Sequence, residues 1–205
     1  YDLKRQLEAN AGEKIVVIES VYSMDGDFAP LQAIVGLCRQ YQALLIVDEA
    51  HAIGVYGESG EGLVQQEGLQ EDVLARIVTY GKGPGIHGAA VVGPKWLRDY
   101  QINFSRPFIF STAPSDHALI AISSMYDELV LVDRERKQLR ELVDYFINKR
   151  RTQDGWLLSP SHIQSLIIPG NESVMDGSKH LESYGIMALP IRTPSVPAGM
   201  ERIRF

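Results

Sequence analysis

The chain has 205 residues, 45% of them apolar, with a formal net charge of −6 and an isoelectric point near 5.4. These values allow a sizeable buried core, in one large domain or in one and a half smaller ones. They argue against a nucleic-acid partner, because proteins that bind nucleic acid usually carry a basic surface, and the basic residues of this chain are scattered.

The sequence predicts neither a membrane partner nor a disulfide. No run of about 18 apolar residues and no basic-then-apolar leader is visible, which argues against a membrane span or a secretory signal. The single cysteine, Cys38, falls on the apolar side of a helical pattern, so we expect it in the core. We therefore predict a cytoplasmic protein.

The first 80 residues alternate short apolar strands with helices. The predicted elements are a helix over residues 3–9, a strand over 14–20, a polar loop over 23–27, a helix over 30–41 opened by Pro30, a strand over 43–47, a glycine-rich loop over 54–62 and a strand over 73–80. Such alternation predicts a mainly parallel sheet, in which polar side chains at strand ends share one edge. Ser23, Asp48 and Lys82 all follow strand ends.

The remaining residues predict further strands and helices. The predicted elements are strands over residues 89–92 and 107–111, a helix over 96–104, a helix over 116–130 with Ser115 as its N-cap, a charged helix to about residue 150, a strand over 165–168, a helix over 173–184 ended by Gly185, and strands over 186–191 and 201–205. Within the charged helix, basic residues alternate with acidic ones at helical spacing, which predicts a solvated face. These basic residues are Arg134, Arg136, Lys137 and Arg140.

The order of these elements predicts an α/β protein with two domains. Residues 1–130 are expected to form part of a large α/β domain, and residues 131–205 a connecting helix and part of a small C-terminal α+β domain. Both ends of the chain are abrupt, so we expect the full protein to continue beyond each of them.

The candidate nucleophile is Lys82, in the run IVTYGKGPGIHGAAVVG of residues 77–93. It follows a predicted strand and has Gly81, Gly83 and Gly85 around it, so a planar ligand can approach its nitrogen closely. Such an amine suits Schiff-base chemistry. A lysine in a glycine-rich turn can also be a solvated surface residue. It is not the lysine of a nucleotide phosphate loop, because glycine rather than Ser or Thr follows it.

Three polar residues upstream could serve a cofactor on that lysine. If Lys82 carries a pyridoxal group, Asp48 is the carboxylate that keeps the pyridine nitrogen protonated and the ring able to accept electrons. His51 could donate to the phenolic oxygen of the ring, and Thr79 could bond the phosphate. Each also has a simpler interpretation, as a turn cap, a loop histidine and a strand residue.

Two hypotheses from other classes remain open. The run VDEAH, residues 47–51, resembles the magnesium-binding strand end of DEAH-type ATPases, but no phosphate loop precedes it in this sequence. A non-catalytic scaffold subunit is the other hypothesis, although such a descendant would typically have lost Lys82 or Asp48. No metal site is predicted.

Five runs carry the remaining motifs: SVYSMDGDFAPL (residues 20–31), LLIVDEAHAIGVYG (44–57), TYGKGPGIHGAAV (79–91), RPFIFST (106–112) and RTPSVPAGMERIR (192–204). Together they resemble the α-oxoamine synthase family of pyridoxal-phosphate-dependent acyltransferases. They occur in family order along nearly the whole chain. The resemblance implies a fold of the aspartate aminotransferase type, a homodimer with its active site at the interface, and a decarboxylative condensation of an amino acid with an acyl-CoA.

The resemblance also implies a role for each matching residue. Lys82 matches the lysine that carries pyridoxal 5'-phosphate, and Asp48 the partner of the pyridine nitrogen. His51 and Ser23 match residues around the ring, and Thr79 a phosphate ligand. The other matches are Thr112, which reaches the phosphate of the neighbouring subunit, Arg204, which receives the carboxylate of the amino acid, and Ser195, a substrate contact.

Within the family, two runs point to a substrate pair. Residues 106–112 and 192–199 are most similar to the members of biotin biosynthesis that join L-alanine to a pimeloyl thioester, and less similar to members that use glycine. A glycine-using member that takes a short acyl-CoA and a serine-using member remain alternatives. The chain departs from the family pattern at His87, where a small residue is expected, and at Ser195, where threonine is usual.

Overall fold

The computed structural model describes residues 2–150 and 155–205. Within them the helices are α1 (Asp2–Ala9), α2 (Leu31–Gln40), α3 (Leu63–Gln66), α4 (Lys95–Phe104), α5 (Arg106–Ile109), α6 (Asp116–Leu129), α7 (Asp133–Lys149) and α8 (Asn171–Glu182). The strands are β1 (Lys14–Glu19), β2 (Ala43–Asp48), β3 (Ala75–Thr79), β4 (Ala89–Val92), β5 (Ser165–Ile167), β6 (Leu189–Ile191) and β7 (Arg202–Arg204). Two compact units result. The first contains the described residues up to Val21 and Ala29–Arg136, and the second contains Tyr22–Phe28 and the described residues of Lys137–Phe205.

The first unit is built on a four-stranded sheet with the order β1-β2-β3-β4. The first three strands are parallel, and β4 runs antiparallel to β3. The apolar, β-branched sequences of β1 and β2 suit such a sheet. In its register Glu19 pairs with Asp48 and Asp48 with Ile77, so the carboxyl ends of these strands lie at one edge. The predicted mainly parallel sheet is confirmed.

Helix α2 packs against β2 and contributes its apolar face to the core. Its buried residues, Leu31, Ile34, Val35 and Cys38, recur at the spacing of one helix face. Burial of each large aliphatic side chain contributes roughly 1.5–3 kcal/mol. The prediction that Cys38 lies in the core is therefore confirmed.

A second part of this core joins α6 to β3. Val78 and Tyr80 pack with Ile53, Met125 and Leu129. The helix begins where the sequence predicts, since the Ser115 hydroxyl accepts a hydrogen bond of 3.3 Å from the Ala118 amide. This packing fixes the end of β3, from which the loop of Lys82 departs.

The second unit contains a three-stranded antiparallel sheet with the order β5-β7-β6. Helix α8 covers one face, where Val174 packs with Ala188 and Ile203. Because side chains alternate across a strand, Arg202 and Arg204 point to the face of β7 opposite Ile203. The strand predicted over residues 201–205 is thus β7, the central strand of this small sheet.

Two predictions about the middle of the chain are wrong. Residues 107–111 do not form a strand, since Arg106–Ile109 is the short helix α5. Pro107 in the first turn fits a helix start, because its ring supplies a helical φ and needs no amide partner there. Arg136 is not on a solvated face: it is 3% exposed and donates to the carbonyls of Leu129 (2.6 Å) and Glu58 (3.0 Å).

Charge alternation did not reveal that burial, although Arg134, Lys137 and Arg140 are exposed as predicted. A guanidinium can be buried where backbone carbonyls accept hydrogen bonds from it, as those of Leu129 and Glu58 do.

None of the described helices combines the length and apolar character needed to span a membrane.

Candidate active site

Asp48 lies at the carboxyl end of β2, half-buried. Its Oδ1 accepts a hydrogen bond of 2.8 Å from the amide of Ala50, which orients the carboxylate at the strand end. The backbone continues the sheet one residue further, since the amide of Glu49 donates to the carbonyl of Ile77 at 2.8 Å. Asp48 therefore lies in a strand that is paired on both sides and not on a free loop.

Thr79 and Lys82 follow at the end of the neighbouring strand, β3. The Thr79 hydroxyl is buried and has no hydrogen-bond partner among the described residues. Lys82 is exposed, three residues further along the loop that links β3 to β4. A loop hydrogen bond from the Ile86 amide to the Tyr80 carbonyl, 2.9 Å, closes the base of this turn.

The lysine loop packs directly against the segment that follows Asp48. A Cβ on Gly83 would stand 2.6 Å from the carbonyl oxygen of Ile53, and a Cβ on Gly54 would stand 3.3 Å from the carbonyl carbon of Gly83. Only residues without side chains allow this approach. The structure therefore brings the segments of Asp48 and Lys82 together at one edge of the sheet, as the sequence predicts.

The remaining predicted residues of the first unit are His51, Thr112 and His87. His51 is half-buried in the turn between Asp48 and Ile53. Thr112 is exposed in the irregular segment after α5. His87, the bulky departure in the lysine loop, is exposed.

Three predicted residues belong to the second unit. Ser23 lies in the Tyr22–Phe28 segment, and its carbonyl accepts a hydrogen bond of 2.9 Å from Nη1 of Arg204, in β7. Ser195 is exposed in the turn after β6, where its amide donates to the carbonyl of Arg192 at 2.9 Å. Arg204 and Ser23, which the resemblance assigns to substrate and ring, are thus in direct contact.

The turn that carries Ser195 is organised by a carboxylate that the sequence did not single out. Glu201 is 3% exposed and accepts hydrogen bonds from the amides of Gly170 and Gly199, both 2.9 Å, and from the Thr193 hydroxyl, 2.6 Å. These donors, that of Gly170 first, stabilise the ionised form and lower the pKa of Glu201 to about 2. An acidic residue within the strand-like run ERIRF was the available signal.

A second carboxylate, Glu49, is fully buried beside Asp48. Its Oε2 accepts from Nε of Arg76 at 2.6 Å, and its Oε1 from the amide of Val64 at 2.9 Å. Arg76 also donates to the carbonyl of Glu61. Glu49, the second acidic residue of the VDEAH run, is therefore a buried structural carboxylate.

These residues fit pyridoxal phosphate. The amine is exposed between glycines, a carboxylate lies at the adjacent strand end, and Thr79 offers a buried hydroxyl with an unused hydrogen-bonding capacity. A buried hydroxyl without a partner is costly, and a phosphate oxygen would satisfy it. In the described part of the chain, no group of His, Cys, Asp or Glu side chains could hold a metal ion.

Residues 1–205 match the family model described as aminotransferase class I and II. The chain belongs to this family. It is 41% identical over 198 residues to a putative 8-amino-7-oxononanoate synthase of Geobacillus kaustophilus, and 38% identical over 201 residues to the 8-amino-7-oxononanoate synthase of Methylobacillus flagellatus. These matches cover 95% and 97% of the chain but 50% of each relative. The chain thus spans about half the length of the curated relatives it matches.

Solved structures of the family share the fold. A serine palmitoyltransferase from S. paucimobilis with a bound PLP-myriocin aldimine has a TM-score of 0.88 at 26% identity, over 99% of this chain and 52% of that one. The 8-amino-7-oxononanoate synthase of Francisella tularensis has a TM-score of 0.85 at 25% identity, over 99% of this chain and 59% of that one. The predicted resemblance to the α-oxoamine synthases and the predicted fold are confirmed.

Proposed function

We propose that the complete protein is a pyridoxal-phosphate-dependent 8-amino-7-oxononanoate synthase. It would condense L-alanine with a pimeloyl thioester such as pimeloyl-CoA, with release of the free thiol and of carbon dioxide, in cytoplasmic biotin biosynthesis. The observation that carries the proposal is the 41% identity to a relative of that name over 95% of the chain. Retention of Lys82 and Asp48 on contacting segments supports a catalytic protein over a scaffold.

Lys82 and Asp48 have different roles in the proposed reaction. When bound, pyridoxal phosphate supplies an electron sink for the α-carbon of the amino acid. Lys82 holds the cofactor through its amine and, once displaced by the amino acid, removes and returns the proton at the α-carbon. Asp48 keeps a proton on the pyridine nitrogen by placing a negative charge beside it.

The remaining site residues bind and orient. Thr79 donates a hydrogen bond from its hydroxyl to the phosphate, and His51 and Ser23 contact the ring. Arg204 receives the α-carboxylate, a task that suits a planar guanidinium with two parallel donors. Ser195 contacts the substrate and keeps the hydroxyl of the usual threonine.

A homodimer is part of the proposal, with Thr112 reaching the phosphate of the neighbouring subunit. The segment before Thr112 supports this arrangement, since Phe108 is 64% exposed and Phe110 is 78% exposed. Exposed aromatic residues that lie close together in the chain are typical of protein interfaces. Mixing Lys82→Ala with Thr112→Val subunits tests it: a mixed dimer regains one intact site only if Thr112 acts across the interface.

The assay that tests the function uses the complete protein with L-alanine, glycine and L-serine against short and long acyl-CoA thioesters. Turnover with L-alanine and pimeloyl-CoA is expected. A second candidate is serine palmitoyltransferase, favoured by the TM-score of 0.88 to that enzyme. Turnover of L-serine with palmitoyl-CoA alone would select it, and turnover of none of the pairs would overturn both.

A further inference from the structure

The Tyr22–Phe28 segment, which carries Ser23, is hydrogen-bonded at several points to the C-terminal residues of the second unit. The Ser165 hydroxyl donates to the Met24 carbonyl at 2.9 Å, and the Ser159 hydroxyl donates to the Gly26 carbonyl at 2.9 Å. Gly26 has φ +76, and a Cβ on it would stand 2.4 Å from the carbonyl oxygen of Ile163. The segment is therefore seated closely on the C-terminal part of the chain.

Two arginines of β7 hold consecutive carbonyls of this segment. Arg204 donates from Nη1 to the Ser23 carbonyl at 2.9 Å, and Arg202 donates from Nη1 to the Met24 carbonyl at 3.2 Å. Residues two apart in a strand lie on one face, which brings both guanidinium groups to the same stretch of backbone. Arg202 also donates from Nε to the carbonyl of Met200 at 3.0 Å.

The two arginines differ in how their charges are balanced. Arg202 is 3% exposed and forms an ion pair with Asp25, whose side chain is 56% exposed. Arg204 is half-buried, and in the described part of the chain no carboxylate pairs with it. A guanidinium that is held by a neutral carbonyl and has no carboxylate partner is available to an anionic ligand.

We propose that the Asp25–Arg202 pair is a positioning device for the substrate arginine. Arg202 holds the Met24 carbonyl, next to the Ser23 carbonyl that Arg204 contacts. The pair thereby keeps this stretch of backbone, and with it the Arg204 guanidinium, in a fixed orientation. Asp25 and Arg202 thereby determine affinity for the α-carboxylate of the amino acid without touching it. This inference rests on the proposed function and adds two residues to it.

The test measures amino-acid binding by the complete protein loaded with pyridoxal phosphate. Titrations of the cofactor's visible absorption with L-alanine and with ethylamine are compared in wild type and Asp25→Asn. Both ligands carry the amine, but only L-alanine carries a carboxylate. We expect Asp25→Asn to raise the dissociation constant of L-alanine by about tenfold, the factor expected for loss of one charge-assisted hydrogen bond. The dissociation constant of ethylamine should be unchanged.

Asp176→Asn is the matched control, because Asp176 is an exposed acid of the same unit in an ion pair with Lys179. It should bind both ligands as wild type does. Arg202→Lys, which keeps the charge but cannot reproduce the three contacts of Arg202, should act in the same direction as Asp25→Asn. Because Asp25 is largely exposed, Asp25→Asn remains informative if the Arg202 variant fails to fold.

Two results would overturn the inference: an unchanged dissociation constant for L-alanine in Asp25→Asn, or equal weakening of L-alanine and ethylamine. The second would mean that the cofactor site as a whole is disturbed. A wild-type protein whose absorption responds to ethylamine but to no amino acid would overturn the inference and leave the cofactor assignment standing. A wild-type protein that binds no pyridoxal phosphate would overturn the proposed function itself.

Discussion

Gly83 lies so close to Ile53 that a Cβ would stand 2.6 Å from the Ile53 carbonyl oxygen. This approach joins the loop of Lys82 to the segment that follows Asp48. Gly83→Ala should therefore shift the lysine loop and lower the free energy of unfolding by about 1–3 kcal/mol, the usual cost of overpacking. Thermal or denaturant unfolding of the complete protein measures it.

The same chemical change elsewhere should have the opposite sign. Gly36 lies inside α2, and a Cβ on it would meet no packed neighbour within 4 Å. Gly36→Ala is expected to stabilise by about 0.5–1 kcal/mol, because alanine loses less backbone freedom in a helix. Equal effects of the two substitutions would contradict the close approach at Gly83.

Replacement of Lys82 by Ala should abolish the visible absorption of the lysine-bound cofactor. It should also lower kcat by at least about 10²–10⁴-fold, the range for loss of a general base. Absorption spectra and steady-state kinetics of the complete protein check both. Lys4→Ala removes an exposed lysine of α1 and should change neither. A persistent absorption band in the Lys82 variant would exclude Lys82 as the attachment point.

Asp48→Asn keeps the shape of the side chain and removes its charge. The Ala50 amide can still donate to the side-chain oxygen, so we expect folding to be retained. Activity should fall by about 10²–10³-fold, because the pyridine nitrogen loses the charge that keeps it protonated. Asp99→Asn, at an exposed ion pair with Arg98, is the control. Wild-type kcat in Asp48→Asn would refute the assignment.

The buried Glu49–Arg76 pair should be a stability determinant. Glu49→Ala leaves Arg76 without its carboxylate and the Val64 amide without its acceptor, so a loss of about 3–5 kcal/mol in the free energy of unfolding is expected. Glu49→Gln keeps an acceptor for Val64 and should cost less. Denaturant titration of both variants measures the difference, and equal costs would show that the Val64 hydrogen bond contributes nothing.

Glu201 should make stability depend on pH in the acid range. Its pKa falls from an ordinary value of 4.5 to about 2 in the folded protein, so its contribution is complete above pH 4.5 and is lost as the pH falls towards 2. Glu201→Gln should therefore be less stable than wild type at neutral pH, and the difference should shrink between pH 4.5 and 2. A difference that is constant across this range would refute the lowered pKa.

The sequence by itself determined the elements whose local signals agree with their packing. The apolar face of α2 lies at helical spacing, the β-branched runs of β1 and β2 became parallel strands, and Ser115 caps α6. It also indicated that Asp48 and Lys82 would share an edge, because consecutive parallel strands end on the same side of a sheet. The prediction of a strand over residues 107–111 was wrong because a short apolar run has no distinct period. Packing decided its conformation.

Only the tertiary structure decided which charged residues are buried. Arg136, Glu49, Glu201 and Arg202 look like ordinary surface charges in the sequence, yet each is at most 3% exposed. Each of them has at least one partner that is distant in sequence, such as Glu58 for Arg136 and Met24 for Arg202. The grouping of Tyr22–Phe28 with the C-terminal unit has the same cause. Contacts between distant residues leave no local pattern, so periodicity and propensity cannot reveal them.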